Sequence, residues 1–316
     1  MESLIDMIQI PPYNAPVISG VYIYTVDKVW VKPIINETVR EFFSDNITAL
    51  NSYIMGLHIS EEDTRSYHYR YSCYKDYYND RGEKYAQIEI KMLQNNIEGD
   101  DCCRIIFNPN KFCNSEECMS DLNAILSLAD AYYVEMMDIA IDIPTNKEKV
   151  HLVKDKRVKL DCSNTKWNQT EYLGKNRNTI GHVKLYDKQA ECKLSNELTR
   201  LEITVGNPLE KSWLNSVSKR LPKVIISAVE NEGTSLSANL NDTEKVIVLA
   251  LIDSPKKIEL WKKLGYKMKK KIEPYIFADD IELEYDMEAI QKVANNIIET
   301  IKIEGTHIKG RYITSD

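Results

Sequence analysis

Three segments that alternate strictly between apolar and polar residues constrain the fold of this chain more than any other feature. They span residues 136–143 (MMDIAIDI), 182–188 (HVKLYDK) and 198–205 (LTRLEITV). Because successive side chains of a strand point to opposite faces of a sheet, each segment buries one face and presents the other. The sequence therefore predicts three strands, each with one apolar and one polar face.

Weaker patterns extend this prediction over the rest of the chain. Strands are predicted at 17–31, 65–78, 84–92 and 103–107, helices at 37–52 and 120–131, and loop with a further strand at 145–170. After Asn207-Pro208 the spacing turns helical, and it predicts helices at 209–230, 243–253, 255–272 and 286–302.

The order of these elements predicts an α+β fold. We expect a mostly antiparallel sheet with helices packed on one face, formed from two similar β-rich halves and followed by a helical C-terminal region. Residues 1–207 would form the α+β domain, and residues 208–316 would form the helical region.

The charge of the chain is acidic overall but uneven. The net charge over 316 residues is −7, which argues against a general affinity for nucleic acid. Lys256–Lys271, however, holds eight lysines and one glutamate. This patch fits a selective DNA binder, and it fits a solvated helix face equally well.

The sequence also indicates the compartment. It has no apolar run of membrane-spanning length, and its acidic N-terminus lacks the basic and apolar regions of a signal peptide. We therefore expect a cytoplasmic protein that contacts no membrane. The seven cysteines form no CxxC pair, so free thiols are favoured over a zinc site.

Tyr186 is the first candidate for chemistry. It lies on the polar face of its strand, with Lys184 and Lys188 two positions away on either side. These cations would favour a phenolate and hold a nearby phosphate. A tyrosine that merely packs against its long neighbours is the structural alternative.

Acidic residues on the polar faces are the candidates for metal binding. Asp138 and Asp142 share a strand face, but at the rise of a strand their Cα atoms lie about 13 Å apart. One of them would therefore bind Mg²⁺ or Mn²⁺ together with an acid of another strand, for which Glu202 is favoured over Glu89. The alternative is a solvated face whose acids pair with Arg200 and the lysines.

Several other classes of site lose support. No histidines are spaced as HxH or HxxxH, and no glycine-rich phosphate loop or GxSxG motif occurs. Kinases, nucleotide-binding proteins and serine hydrolases are therefore not indicated.

The order of four short motifs resembles the Rep_trans-type rolling-circle plasmid replication initiators, a family that includes relaxases of mobile elements. The resemblance covers roughly residues 103–206. It departs from the family at Met137, where a polar residue is common, and at Lys175-Asn176, which shifts the basic residue after Gly174. The motifs are Met136–Asp142, Tyr172–Arg177, Leu185–Lys188 with Glu191, and Arg200–Glu202.

The resemblance implies a metal-dependent DNA nicking-closing enzyme. Residues 1–207 would be its catalytic domain, and the helical region 208–316 would be a candidate for origin-DNA binding or dimerisation. Tyr186 would attack a phosphate of the plasmid origin, leaving a 5′-phosphotyrosine link and a free 3′-hydroxyl primer. Lys188 and Arg200 would balance the developing charge, and Asp138, Asp142 and Glu202 would supply the ligands of Mg²⁺ or Mn²⁺. The origin would be single-stranded at the nick and duplex nearby. The residues expected to contact DNA are Lys175, Arg177, Lys184, Lys262, Lys263, Lys267, Lys269 and Lys270.

The same family suggests a host helicase and a second copy of the chain as partners. Three alternatives remain open: a non-catalytic origin-binding initiator or regulator, a nuclease that uses water, and a conjugative relaxase. The last differs from an initiator only in its target DNA and its partners.

Overall fold

A computed structural model describes residues 16–33, 54–61, 69–93, 103–112, 115–127, 132–165, 168–206, 212–227, 240–252, 254, 256–276 and 281–301. The helix predicted at 37–52 lies outside them. The strands are β1 (Val17–Ser19), β2 (Tyr22–Pro33), β3 (His58–Glu61), β4 (Tyr69–Tyr78), β5 (Lys84–Leu93), β6 (Cys103–Phe107), β7 (Tyr132–Ile143), β8 (Val150–Leu152), β9 (Lys159–Thr165), β10 (Asn168–Leu173), β11 (Val183–Asp187), β12 (Thr199–Gly206), β13 (Val224–Ile226) and β14 (Ile281–Glu282). The helices are α1 (Pro109–Phe112), α2 (Glu116–Leu126), α3 (Lys188–Cys192), α4 (Trp213–Ser218), α5 (Asp242–Ile252), α6 (Lys257–Lys263), α7 (Tyr266–Ile276) and α8 (Met287–Ile301).

One large antiparallel sheet organises the molecule. Its 11 strands include a continuous path in the order β3-β4-β5-β6-β2-β7-β12-β11-β10-β9, and β1 pairs with β2 beside that path. The strands before residue 144 form one side and those from 159–206 the other, and the two sides meet where β7 pairs with β12. The predicted α+β fold is confirmed, whereas a duplication of the two halves stays a prediction.

The two faces of the sheet differ as the alternation predicts. Ile139 and Ile141 of β7 and Leu201 of β12 are fully or almost fully buried in the main apolar core. Residues of α1, α2, α4 and α8 belong to the same core, so these helices cover that face. Helix α8 contributes a stripe that includes Ile290 and Val293, at the spacing of one helical face.

The opposite face carries the polar residues of the same strands.

The start of helix α2 is set by a local cap: its N-cap Ser115 accepts a hydrogen bond from the backbone N–H of Cys118. The helix therefore begins before the predicted Ser120 and ends at Leu126.

A second, three-stranded sheet has the order β14-β13-β8. Glu171 of β10 joins it to the large sheet, because its carboxylate accepts hydrogen bonds from the backbone N–H of Leu152 and from Lys147 Nζ, at 3.2 and 2.9 Å. Lys159 forms a further ion pair with Glu171. A hydrogen bond with His151 and the charges of Lys147 and Lys159 outweigh burial and lower the pKa of Glu171.

Two of the predicted C-terminal helices are wrong. The segment 209–230 contains the short helix α4 followed by strand β13, which pairs with β8. The segment 255–272 is divided, because Leu264 adopts an extended conformation between α6 and α7. A three-residue strand and a two-residue break are both too short to alter helical periodicity in the sequence.

The predicted boundary at residue 207 stays a prediction. Helix α8 packs into the main core beside α4. Helices α5, α6 and α7 form a small apolar cluster of their own, whose buried members are Leu240, Val248, Leu251, Ile272 and Ile276.

Candidate active site

Strand register brings the predicted residues together on the polar face of the large sheet. Arg200 of β12 lies between Asp142 of β7 and Tyr186 of β11, and Glu202 lies opposite Ala140. Residues that pair directly across adjacent antiparallel strands point to the same face of the sheet, so these side chains lie side by side. The face that the alternation singled out is thus one continuous polar surface.

Tyr186 and Glu202 form the centre of this surface. The tyrosine hydroxyl donates a hydrogen bond to Glu202 Oε1 at 2.6 Å, and Lys188 Nζ lies 3.5 Å from the same hydroxyl. Lys184 Nζ lies 3.6 Å from the centre of the Tyr186 ring and 3.6 Å from Glu202 Oε2. The arrangement brings a hydroxyl group, its hydrogen-bonded carboxyl group and two cations together.

The ionisation of Tyr186 differs from the sequence expectation. Burial and the charge of Glu202 raise the pKa of the Tyr186 hydroxyl, so the flanking lysines do not hold it as a phenolate. Burial also raises the pKa of Glu202. The resting site therefore contains a protonated phenol that donates its hydrogen bond to Glu202.

Arg200 is held by two acids. Its Nε and Nη2 donate to the two oxygens of Asp142 at 2.6 and 2.7 Å, and its Nη1 lies 2.8 Å from Asp27 Oδ1. Burial opposes the charge of the guanidinium, but Asp142 outweighs it and the pKa of Arg200 is raised. Both oxygens of Asp142 are engaged in this pair, and its role as a metal ligand stays a prediction.

Asp27 is a site residue that the sequence reasoning missed. It lies at a register shift in β2, between the pairings of Val26 and Lys28 with β7, and this bulge turns its side chain to the polar face. The sequence contains a signal for this bulge. The apolar residues Val26 and Val29, both buried in the structure, are three positions apart, which breaks the period of two expected of a regular strand.

Asp138 of β7 pairs with Thr204 of β12, two residues along that strand from Glu202. Its Oδ1 accepts a hydrogen bond from the Thr204 hydroxyl at 2.6 Å. Burial, reinforced by the charge of Glu202, raises the pKa of Asp138 to about 7 despite that hydrogen bond. Asp138 and Glu202 are thus two nearby carboxyl groups whose charges are poorly compensated.

These two carboxyl groups fit a hard cation. Thr25 of β2 pairs with Ala140 of β7, which pairs on its other side with Glu202, and the buried hydroxyl oxygen of Thr25 has no hydrogen-bond partner within the described structure. Mg²⁺ and Mn²⁺ favour such oxygen donors and commonly take only one or two carboxylates.

The larger predicted ligand set is not formed. No three His, Cys, Asp or Glu side chains gather as a metal site in the part of the chain that the structure describes. The alternative acid Glu89 lies on β5, separated from β12 by three strands, where it pairs with Lys91.

The loop between β10 and β11 borders the same face. Gly174 begins it at φ +98°, and both Lys175 and Arg177 are exposed there. The guanidinium of Arg177 lies 5.4 Å from the centre of the Tyr172 ring, which stacks on His182. The predicted basic residues of this loop therefore lie beside the Tyr186 strand.

The other predicted DNA-binding lysines lie on a different element. Lys262 and Lys263 are on α6, and Lys267, Lys269 and Lys270 are on α7. These helices belong to the small apolar cluster rather than to the sheet. Any contact that these lysines make with DNA would occur at a second surface.

Comparison with known proteins adds little. No protein-family model and no curated protein matches the chain. One matching solved structure is a rolling circle replication initiator protein from Geobacillus stearothermophilus, with 10% identity and a TM-score of 0.34, over 68% of this chain and 90% of that chain. Values this low leave function to be argued from the residues. Among the described helices, none has the length and apolar character to cross a membrane.

Proposed function

We propose that this chain is a rolling-circle replication initiator that nicks one strand of origin DNA by tyrosine transesterification. The observation that carries the proposal is the hydrogen bond from the Tyr186 hydroxyl to Glu202, within reach of Lys184 and Lys188. A nucleophile bonded to its proton acceptor is the arrangement that covalent catalysis requires. The sequence resemblance supports the same reaction.

The proposed step transfers one phosphodiester bond. The Tyr186 oxygen attacks the scissile phosphorus while its proton passes to Glu202. The bond from phosphorus to the 3′-oxygen breaks, and that oxygen takes up a proton, so that a 5′-phosphotyrosine and a free 3′-hydroxyl result. Lys188, at 3.5 Å from the attacking oxygen, would balance the charge that develops on the phosphate.

Other residues would prepare this step. Asp138 and Glu202 would hold Mg²⁺ or Mn²⁺, which polarises the phosphate when bound. Arg200, predicted to balance the developing charge, is paired with Asp142 and Asp27, and its role would be to orient the strands around Tyr186. Lys175 and Arg177 would hold the single strand beside the site.

Burial of Tyr186 favours a second candidate function. The residue is only 2% exposed, so the site must open before a phosphate can reach its hydroxyl. If it does not open, the chain is an origin-binding initiator or regulator without chemistry. A conjugative relaxase would use the same reaction on different DNA.

Adduct trapping tests the proposal. The full chain is incubated with Mn²⁺ and single-stranded oligonucleotides that tile the replicon encoding it, and covalent adducts are identified by denaturing gels and mass spectrometry. We expect an adduct on Tyr186, which Tyr186→Phe abolishes. Tyr78→Phe, at a tyrosine that is 59% exposed, is the matched control and should keep the adduct.

The other outcomes are equally informative. Binding without adduct or nick would establish the non-catalytic function. Nicking that survives Tyr186→Phe would mean that water or another tyrosine is the nucleophile.

A further inference from the structure

Helices α5, α6 and α7 have the organisation of a helix-turn-helix unit. Helix α6 spans seven residues and α7 spans 11, and only Leu264 and Gly265 separate them. Leu264 is in an extended conformation, so it ends α6 and makes α7 a separate helix. DNA-binding helix-turn-helix motifs join their two helices by a turn of about three to four residues that often contains glycine, and the connection here is shorter and contains Gly265.

The unit has its own core. Val248 and Leu251 of α5 are buried against Ile272 and Ile276 of α7, and Trp261 of α6 packs at the edge of this cluster. Helix α5 thus acts as the supporting helix behind the other two. The cluster is distinct from the main core beneath the large sheet.

Polar contacts fix α5 against α7. At the start of α5, Asn241 and Glu244 exchange two hydrogen bonds between side chain and backbone N–H, which is a capping-box arrangement. Glu244 also accepts a hydrogen bond from Lys271 Nζ of α7 at 2.8 Å. Lys271 is therefore engaged within the unit and does not point away from it.

The outer face of α7 carries cations and an aromatic ring. Met268, Ile272 and Ile276, four residues apart, form its inner face. At 100° per residue, Tyr266, Lys267 and Lys270 lie on the opposite side, and all three are exposed. Tyr266 is 78% exposed, at the first residue of the helix.

We infer that α7 is a recognition helix that enters the major groove of duplex DNA. The groove admits an α-helix, and in such motifs the N-terminal residues of the second helix contact base edges. Tyr266, Lys267 and Lys270 occupy those positions. The lysines of α6 would lie along the phosphate backbone.

This inference deepens the proposed function, on which it rests for the choice of DNA as the partner. It assigns duplex recognition to α7 and strand transfer to the Tyr186 face, as two separate surfaces. The acidic chain as a whole would bind random DNA weakly, so that recognition would depend on this local patch.

Selection from a random duplex pool tests the inference. The full chain is used to enrich 40-base-pair duplexes with a random centre, and the enriched sequence is then titrated by fluorescence anisotropy. We expect wild type and Tyr186→Phe to enrich the same motif. The double variant Lys267→Ala/Lys270→Ala should lose the enrichment and bind the motif at least about tenfold more weakly.

A matched variant separates recognition from loss of charge. Lys219→Ala/Lys292→Ala removes two exposed lysines outside the unit and should bind as wild type does. Equal thermal unfolding of the two double variants would show that the fold is retained. Equal affinity of the two, no enrichment by wild type, or preference for single-stranded DNA or RNA would overturn the inference, whether or not Tyr186 forms an adduct.

Discussion

The Tyr186 hydroxyl lies 2.6 Å from Glu202 Oε1, across the pairing of two adjacent strands. The two residues are 16 positions apart in the sequence, and their contact depends on the register of β11 against β12. The tyrosine is kept protonated by burial and by this carboxylate. The contact therefore links the fold of the sheet to the proposed chemistry.

Glu202→Gln is expected to impair transesterification without removing the nucleophile. Glutamine keeps the size of the side chain but can neither take the tyrosine proton nor supply a charged ligand to the metal ion, so adduct formation should fall by about 10²–10⁴. The initial rate of adduct formation with Mn²⁺ measures this loss. Glu89→Gln, a matched change on β5, should leave the rate unchanged.

Because burial raises the pKa of Glu202, protonation would disable the acceptor at a higher pH than for an ordinary glutamate. The rate of adduct formation by wild type should thus fall as the medium is acidified. The residual rate of Glu202→Gln should not show this fall at acidic pH. An identical acid limb in both proteins would rule out Glu202 as the proton acceptor.

Arg200→Met should destabilise the fold by about 3–5 kcal/mol, because it leaves the buried carboxylate of Asp142 without its cation. The double variant Arg200→Met/Asp142→Leu removes both charges and should recover part of this loss. Urea unfolding of the two variants and wild type gives the comparison. A double variant less stable than the single one would contradict this account.

Glu171→Gln should show that the joint between the two sheets is pH-dependent. The pKa of Glu171 is lowered in the folded state, so its ionised form stabilises the protein above the ordinary glutamate range, and this contribution is lost as pH falls through that range towards the lowered pKa. The free energy of unfolding should differ most between wild type and variant near pH 7. The difference should narrow below about pH 4.3.

A constant difference across that pH range would mean that Glu171 contributes through its hydrogen bonds alone. Glu148→Gln is a suitable control, because Glu148 is an exposed acid near the same joint.

Gly174→Ala should cost about 1–3 kcal/mol of stability. The residue has a φ of +98°, and an added Cβ would lie 3.3 Å from His182 Nδ1. Gly265→Ala is the control, because no atom lies within 4 Å of its added Cβ. Thermal unfolding should therefore shift downward for the first variant and little for the second.

The alternation of apolar and polar residues was sufficient to predict strands β5, β6, β7, β11 and β12 and the polar face that carries Tyr186. Such a pattern is local, and burial of one face enforces it wherever the strand pairs. Strand β13 could not be predicted in this way. Val224–Ile226 is a strand because it pairs with Val150–Leu152, a contact between distant parts of the chain.

The sequence by itself determined which residue types face away from the core, because side-chain direction in a strand alternates at every residue. Tertiary structure alone decided which of them meet. The register of the strands places Asp142 beside Arg200 and Glu202 beside Tyr186. The bulge in β2 brings Asp27 into contact with Arg200. Charge pairing across strands depends on distances of a few ångströms, which only the assembled sheet defines.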